Sequence, residues 1–281
     1  MLPEKMWAPP WLAFPKLECG SMGWRMGAGE AFLEQWMPWQ NSLTPEDRQA
    51  YEELFPQPMP WKQLSAQMGD LLHCGNLSLP LWHPQGLAKY DVQWAVHAKQ
   101  EGTLPTALPF WHPTPSKDGR ITMGCFSQWW PCEFWFRNGL FSSMEQCMMA
   151  GKAAIFSDHQ TLREIMAQTD PRKIKALGRK VTPFAPEKWD EVKYTLVLNG
   201  NYSKFTQNEA LRQFLLSTGD QLLVEASPYD TIWGVGLAPD DPDVQNPERW
   251  RGSNLLGFAL MEVRDEIRRV YANAHLCQEW R

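Results

Sequence analysis

Residues 142–156 read SSMEQCMMAGKAAIF. The stretch predicts a buried helix: a Ser-Ser start supplies a cap, and Met144, Cys147, Met148, Met149, Ala150, Ala153, Ala154, Ile155 and Phe156 make it apolar almost all round. Two charges interrupt the pattern, Glu145 and Lys152. They are seven residues apart, nearly two turns, so Glu145, Met148, Met149 and Lys152 fall along one stripe with methionines between the acid and the amine. That stripe faces either water at the helix edge or a pocket. Glu and Lys are seldom fully buried unless paired, and in a pocket burial raises a carboxyl pKa and lowers an amine pKa.

On the N-terminal side of this helix, RITMGCF and EFWFRNGLFS read as strands, with Asn138-Gly139 between apolar flanks as a hairpin turn. On the C-terminal side helical patterns cover 158–168, 170–180, 186–205 and 207–218. LLVEAS then reads as a strand, and IWGVGL carries spaced glycines that suggest backbone packed closely against a neighbour. SNLLGFALMEVRDEIRRV closes the pattern as an amphipathic helix with Ser253 or Asn254 as cap. The fold class is α+β, predominantly helical, with a small β element.

Residues 1–115 differ in texture, holding 15 of the 23 prolines and 9 of the 16 tryptophans. Within them GEAFLEQWM and TPEDRQAYEELF look helical, the second with Thr44 as N-cap and Pro45 at the first helical position. The proline-rich run LPTALPFWHPTPSKDGR marks the boundary between a Pro/Trp-rich N-terminal accessory region, 1–115, and a catalytic domain, 116–281. GSMGWRMGAGEAF is distinctive, and residues 1–115 receive no function from sequence.

The chain has 281 residues, enough for a sizeable core, and a net charge of −5, which gives no global reason to bind nucleic acid or an anionic membrane. Any nucleic-acid partner must be recognised locally. No basic n-region precedes an apolar run and no stretch approaches the roughly 20 apolar residues of a membrane span, so a cytoplasmic protein is expected. The six cysteines are scattered and read as reduced, packed thiols, and His73, Cys74, His83, His97 and His112 lack metal-ligand spacing. No metal and no cofactor are expected.

Beyond Glu145 and Lys152, three places hold polar residues that a core does not require. In WDEVKYTLVLNGNYSKFTQN, Trp189 is either core or a ligand wall, and Lys204 and Asn208 either grip a phosphate or are solvated. In LVEASPYDTIWGVGL, Glu225, Asp230 and Trp233 surround a turn, which is either a site or an Asx-type turn with Trp233 packed on it. No G-x-G-x-x-G opens a helix there, so a Rossmann reading is discarded. In DPRKIKALGRKV, Arg172, Lys175 and Arg179 share a helical face that either meets phosphate or is solvated.

Taken in order, E-Q-x-M-M-A-x-K-A (145–153), DPRKIKALGRKV, W-x3-K (189–193), GNYSKFTQN, LLSTGDQLLVEASPYDTIWGVGL and W-x-G-x-N-x-L-G-x-A-L-M-x-V-R (250–264) resemble the NADAR family of YbiA-like N-glycosidases over about residues 121–269. The resemblance implies hydrolysis of an N-glycosidic bond. Its expected substrate is ADP-ribose on guanine in nucleic acid, with a DNA ADP-ribosyltransferase as a cognate partner in antitoxin-like members. A second substrate it implies is a phosphoribosylamino-pyrimidine intermediate of riboflavin synthesis, and a third, non-enzymatic reading is an ADP-ribose-binding module. Carried over by position, the resemblance implies Glu145, Lys152 and Asp230 as catalytic and Trp189 and Trp233 as flat walls. Phe126, Gln128, Lys204, Asn208, Gly234 and Asn254 complete the expected substrate contacts. Two departures stand out: Cys147 occupies a position where an aromatic is common, and Phe126-Ser127-Gln128-Trp129 replaces F-S-N-F. The chemistry suits the residues, because breaking a C1–N bond builds oxocarbenium character that a fixed carboxylate stabilises, while an acid protonates the departing base.

Overall fold

The computed structural model describes residues 6–61 and 88–278; His73, Cys74 and His83 lie outside them. The helices are α1 (Pro10–Ala13), α2 (Ala28–Ser42), α3 (Pro45–Leu54), α4 (Val92–Gln100), α5 (Met144–Ile155), α6 (His159–Met166), α7 (Pro171–Gly178), α8 (Pro186–Gln207), α9 (Glu209–Ser217) and α10 (Leu255–Tyr271). The strands are β1 (Met6–Trp7), β2 (Ala107–Phe110), β3 (Phe134–Phe136), β4 (Gly139–Phe141), β5 (Leu222–Glu225) and β6 (Cys277–Gln278). Among the described residues they form three two-stranded sheets: β1 with β6 and β2 with β5 in parallel, β3 with β4 antiparallel. The expected α+β, mainly helical class holds. No helix among the described residues is long and apolar enough to cross a membrane.

The α5 helix starts as its sequence dictates: Ser143 Oγ accepts a hydrogen bond from Gln146 N, and the carbonyl of Gln128 accepts one from Glu145 N at 2.8 Å. Gln146 reaches the carbonyl of Gln168 at 2.7 Å and so ties α5 to the end of α6. Helices α6, α7 and α8 pack around α5, and α10 packs on both α8 and β5. The large core therefore lies between α5, α8, α10 and the β2–β5 pair.

Two local expectations shift. RITMGCF is not a strand: Met123–Phe126 is a 3-10 turn capped by the Thr122 side chain. The reason is a buried amine, since Lys204 Nζ donates to the carbonyls of Cys125 at 2.6 Å and Ser127 at 3.3 Å, withdrawing them from any strand ladder. The hairpin forms, but its two-residue loop is Arg137-Asn138, with φ of 48° and 61°, and Gly139 opens the returning strand opposite Phe136. Two positive φ values give the twist that matches paired strands.

In the N-terminal region Thr44 caps α3 by accepting from Asp47 N, as expected. Met6, Tyr51 and Phe55 form a small separate cluster with Trp36 and Trp39 around it. Residues 92–110, although on the N-terminal side of the expected boundary, join the large core through Ala95, Ala107 and Phe110, and β2 pairs with β5 from Ala107–Leu222 to Phe110–Glu225.

Candidate active site

A cavity of about 580 Å³ is walled by residues 111–113, 127–129, α5, α7, the start of α8 and the segment 225–233. Glu145 enters it from the first turn of α5. The residue is only 3% exposed, its Oε1 has no hydrogen-bond partner, and the Trp129 side chain supplies a hydrogen bond to the carboxylate. Burial raises its pKa to about 7; Lys175, the Trp129 hydrogen bond and Arg179 pull it down, and Asp230 pushes it up. Met148 and Met149 line the same wall between Glu145 and Lys152, so the stripe faces a pocket and not open water.

Lys152 lies two turns further along. Its Nζ donates to the carbonyl of Gly178 at 2.9 Å rather than pairing with Glu145, and sits 4.1 Å from the Phe184 ring centroid and 5.8 Å from that of Trp189. Burial lowers its pKa. A further wall is cationic: Arg172 and Lys175 of α7 and Arg179 at its C-cap all line the cavity, and Lys175 lies over the Trp129 ring at 5.8 Å. An anionic group entering the cavity would meet them together, although the chain as a whole is acidic.

The segment after β5 supplies the remaining wall. Asp230 Oδ1 accepts from Ile232 N at 2.9 Å and Trp233 N at 2.8 Å, so the residue makes an Asx-type turn and also lines the cavity. Gly234 explains the spaced glycines, because a Cβ there would lie 2.7 Å from the carbonyl oxygen of Glu225. Glu225 lines the cavity, its Oε2 shut from solvent and without a partner; burial, Asp230 and Glu145 raise its pKa to about 8, and Lys175 opposes them.

Of the residues expected from sequence, the structure brings Glu145, Lys152, Asp230, Gln128, Trp189 and Trp233 into this one cavity. Gln128 is 6% exposed, with both amide atoms buried and unpartnered, an arrangement suited to a ligand. Five others sit elsewhere. Phe126 is wholly buried, edge-on to Phe110 at 5.5 Å, and belongs to the core. Lys204 is also wholly buried and holds the 125–127 turn from behind, so its ammonium is not at the cavity. Asn208 donates to the carbonyls of Lys204 and Glu133 at the α8–α9 junction. Asn254, left-handed at φ 51°, accepts from Glu225 N and donates to the carbonyl of Leu223; Gly234 is a close-approach position. These support the site without lining it.

Sequence reasoning did not select Trp111, His112, Trp129 or Ser227, and named Glu225 without assigning it to the site. Trp129 had a signal, standing beside Gln128 in the departing F-S-Q-W. Glu225 had one too, as a charge directly after the fully buried Leu222, Leu223 and Val224. Trp111 and His112, stacked with centroids 3.8 Å apart, gave none, because they lie in the proline-rich run read as a boundary.

Several known proteins resemble the chain. It is 46% identical over 147 residues to a protein named N-glycosidase R617 of Acanthamoeba polyphaga mimivirus, covering 50% of this chain and 86% of that one. It is 34% identical over 147 residues to N-glycosidase Npun_R5314 of Nostoc punctiforme, covering 52% and 87% respectively. The NMR structure of the Escherichia coli protein YbiA aligns over 58% of this chain and 86% of its own, with a TM-score of 0.47 and 25% identity. The family model described as the NADAR domain matches residues 109–268, more than half of the chain and every segment that walls the cavity. The chain belongs to the NADAR family.

Proposed function

We propose that this protein releases ADP-ribose from guanine bases in nucleic acid. At the level of reaction class it is an enzyme, a hydrolase of N-glycosyl bonds, in keeping with its family and with relatives named N-glycosidases. The observation that carries the substrate reading is the presence of a buried, under-bonded Glu145 and the cationic Arg172, Lys175 and Arg179 in one cavity. A carboxylate near C1 stabilises the positive charge that develops on the ribose and directs water to it, and a diphosphate suits three converging cations. Trp189 and Trp233 offer flat walls for a base, and Gln128 offers a free amide for its edge. Lys152, with its lowered pKa, lines the same cavity as Glu145 and acts either by orienting the substrate or by attacking C1 to give an imine with ring-opened ribose. The natural partner in this reading is ADP-ribosylated nucleic acid, with the ADP-ribosyltransferase that modifies it as the functional counterpart.

The test offers a guanine-ADP-ribosylated oligonucleotide and a phosphoribosylamino-pyrimidine side by side. ADP-ribose release from the oligonucleotide is expected, reduced about 10²-fold or more in Glu145→Gln and in Lys152→Ala. Turnover of the pyrimidine alone would replace the substrate, and release that survives both substitutions would remove the site assignment. Borohydride trapping of a protein–ribose adduct, absent in Lys152→Ala, separates the covalent route from the orienting one.

A further inference from the structure

The cavity contains a second under-bonded carboxyl. Glu225 ends β5 after three fully buried apolar residues, and its backbone is clamped on both sides: its N–H donates to Asn254 Oδ1 at 2.9 Å, and its carbonyl accepts from Val235 N at 2.9 Å. That clamp fixes the position from which the side chain reaches the cavity wall. Its Oε2 is buried with no partner, as is Oε1 of Glu145, and among the described residues no lysine or arginine forms an ion pair with either. Two neighbouring carboxyls, each with a buried oxygen left without a partner, are costly in a folded protein, and such groups cluster where a reaction uses them.

We propose that Glu225 is a catalytic residue, the general acid that protonates the departing base, working against an ionised Glu145. The proposal rests on the N-glycosidase reading above. The C1–N bond breaks with its electron pair going to the base nitrogen, which takes the Glu225 proton. Water adds to C1 and gives its own proton to Glu145. Transfer of that proton from Glu145 to Glu225 restores both groups, and the net change is addition of one water across the bond. The assignment of roles follows from what faces each group. Glu225 is half-buried, with its Oε2 shut from solvent, and faces Asp230 and Glu145, with Lys175 as its opposing cation. Glu145 faces Lys175 of α7, Arg179 just after it and the Trp129 hydrogen bond, with Asp230 against it. Lys152, Arg172, His112 and Tyr229 complete the charged or titratable groups of the cavity. The carboxyl with more cationic support loses its proton first, so Glu145 is the base and Glu225 holds the proton.

The test measures kcat and KM against pH for the full chain, Glu225→Gln and Glu225→Asp on the guanine-ADP-ribosylated oligonucleotide and the phosphoribosylamino-pyrimidine. For Glu225→Gln, kcat is expected to fall about 10²- to 10³-fold with KM within about threefold, and the alkaline limb of the kcat profile to disappear. Glu225→Asp should keep that limb at reduced rate. Loss of KM alone, or an alkaline limb that persists in Glu225→Gln, overturns the proposal. Turnover of neither probe by the wild type defeats the substrate reading but not this one, which carbon-13 NMR of labelled glutamate carboxyls then decides. A resonance titrating above neutral pH and missing in Glu225→Gln supports it, and titration in the ordinary carboxylate range overturns it.

Discussion

Glu145 and Glu225 are carboxyls that the folded chain holds at a thermodynamic cost. An unfolded glutamate releases its proton near 4.5, whereas burial raises these two to about 7 and about 8. Between those values the native state keeps protons that the unfolded state has lost, so stability falls as pH rises through that window. Glu225→Gln, which keeps shape and removes the charge, is therefore expected to gain about 1 kcal/mol or more near pH 8, roughly 2–4 °C in Tm, with the gain vanishing near pH 4. Melting curves of both proteins across that range check it, and a variant less stable at pH 8 contradicts it. The stripe of Glu145 and Lys152 was legible because helical spacing is short-range. Lys204 was not: seen along its helix it has the look of a phosphate grip, and only the fold brings the carbonyls of Cys125 and Ser127 to its amine.

At the level of elements, what could be read were segments whose ends carry their own chemistry, such as the Ser143 cap of α5 and the Thr44 cap of α3. Capping and periodicity are written in consecutive residues. The loop register of the hairpin and the 3-10 turn at Met123–Phe126 depend on partners distant in sequence, which is why one shifted by a residue and the other replaced a strand. The contact between α10 and β5 is another of these distant agreements. A Cβ at Gly257 would lie 2.1 Å from the carbonyl oxygen of Leu223 and 2.5 Å from Asn254 Oδ1, against backbone and a clamped side chain that have no room to move. Gly257→Ala is expected to cost about 3 kcal/mol or more and to unhook Asn254 from Glu225 N, so activity should fall along with Tm. A soluble variant with wild-type melting and rate would show that the helix can back away freely.

On the scale of the whole molecule, the N-terminal region is tied to the rest by backbone groups held on distant side chains. Glu266 Oε1 accepts from Met59 N at 2.7 Å, Glu262 Oε1 from Lys89 N at 2.8 Å, and Glu18 Oε2 from Arg137 N at 2.8 Å, while Arg269 and Asn273 donate to the carbonyls of Gln57 and Leu54. A chain starting at residue 116 loses β2, leaves β5 without its strand partner and removes Ala107 and Phe110 from the core, so no cooperative melt is expected. A chain starting at residue 88 keeps β2 and α4 and should still fold, with a lower Tm because Glu266 loses the Met59 N–H. Solubility and calorimetry distinguish the two, and equal behaviour would contradict the packing argument. The parallel pairing of Met6–Trp7 with Cys277–Gln278 carries a mechanical consequence. Tension applied through the chain on either side enters one strand and leaves the other at opposite ends of the pair. The two rungs are then loaded side by side and must slide past each other, where an antiparallel clasp would peel open one rung at a time.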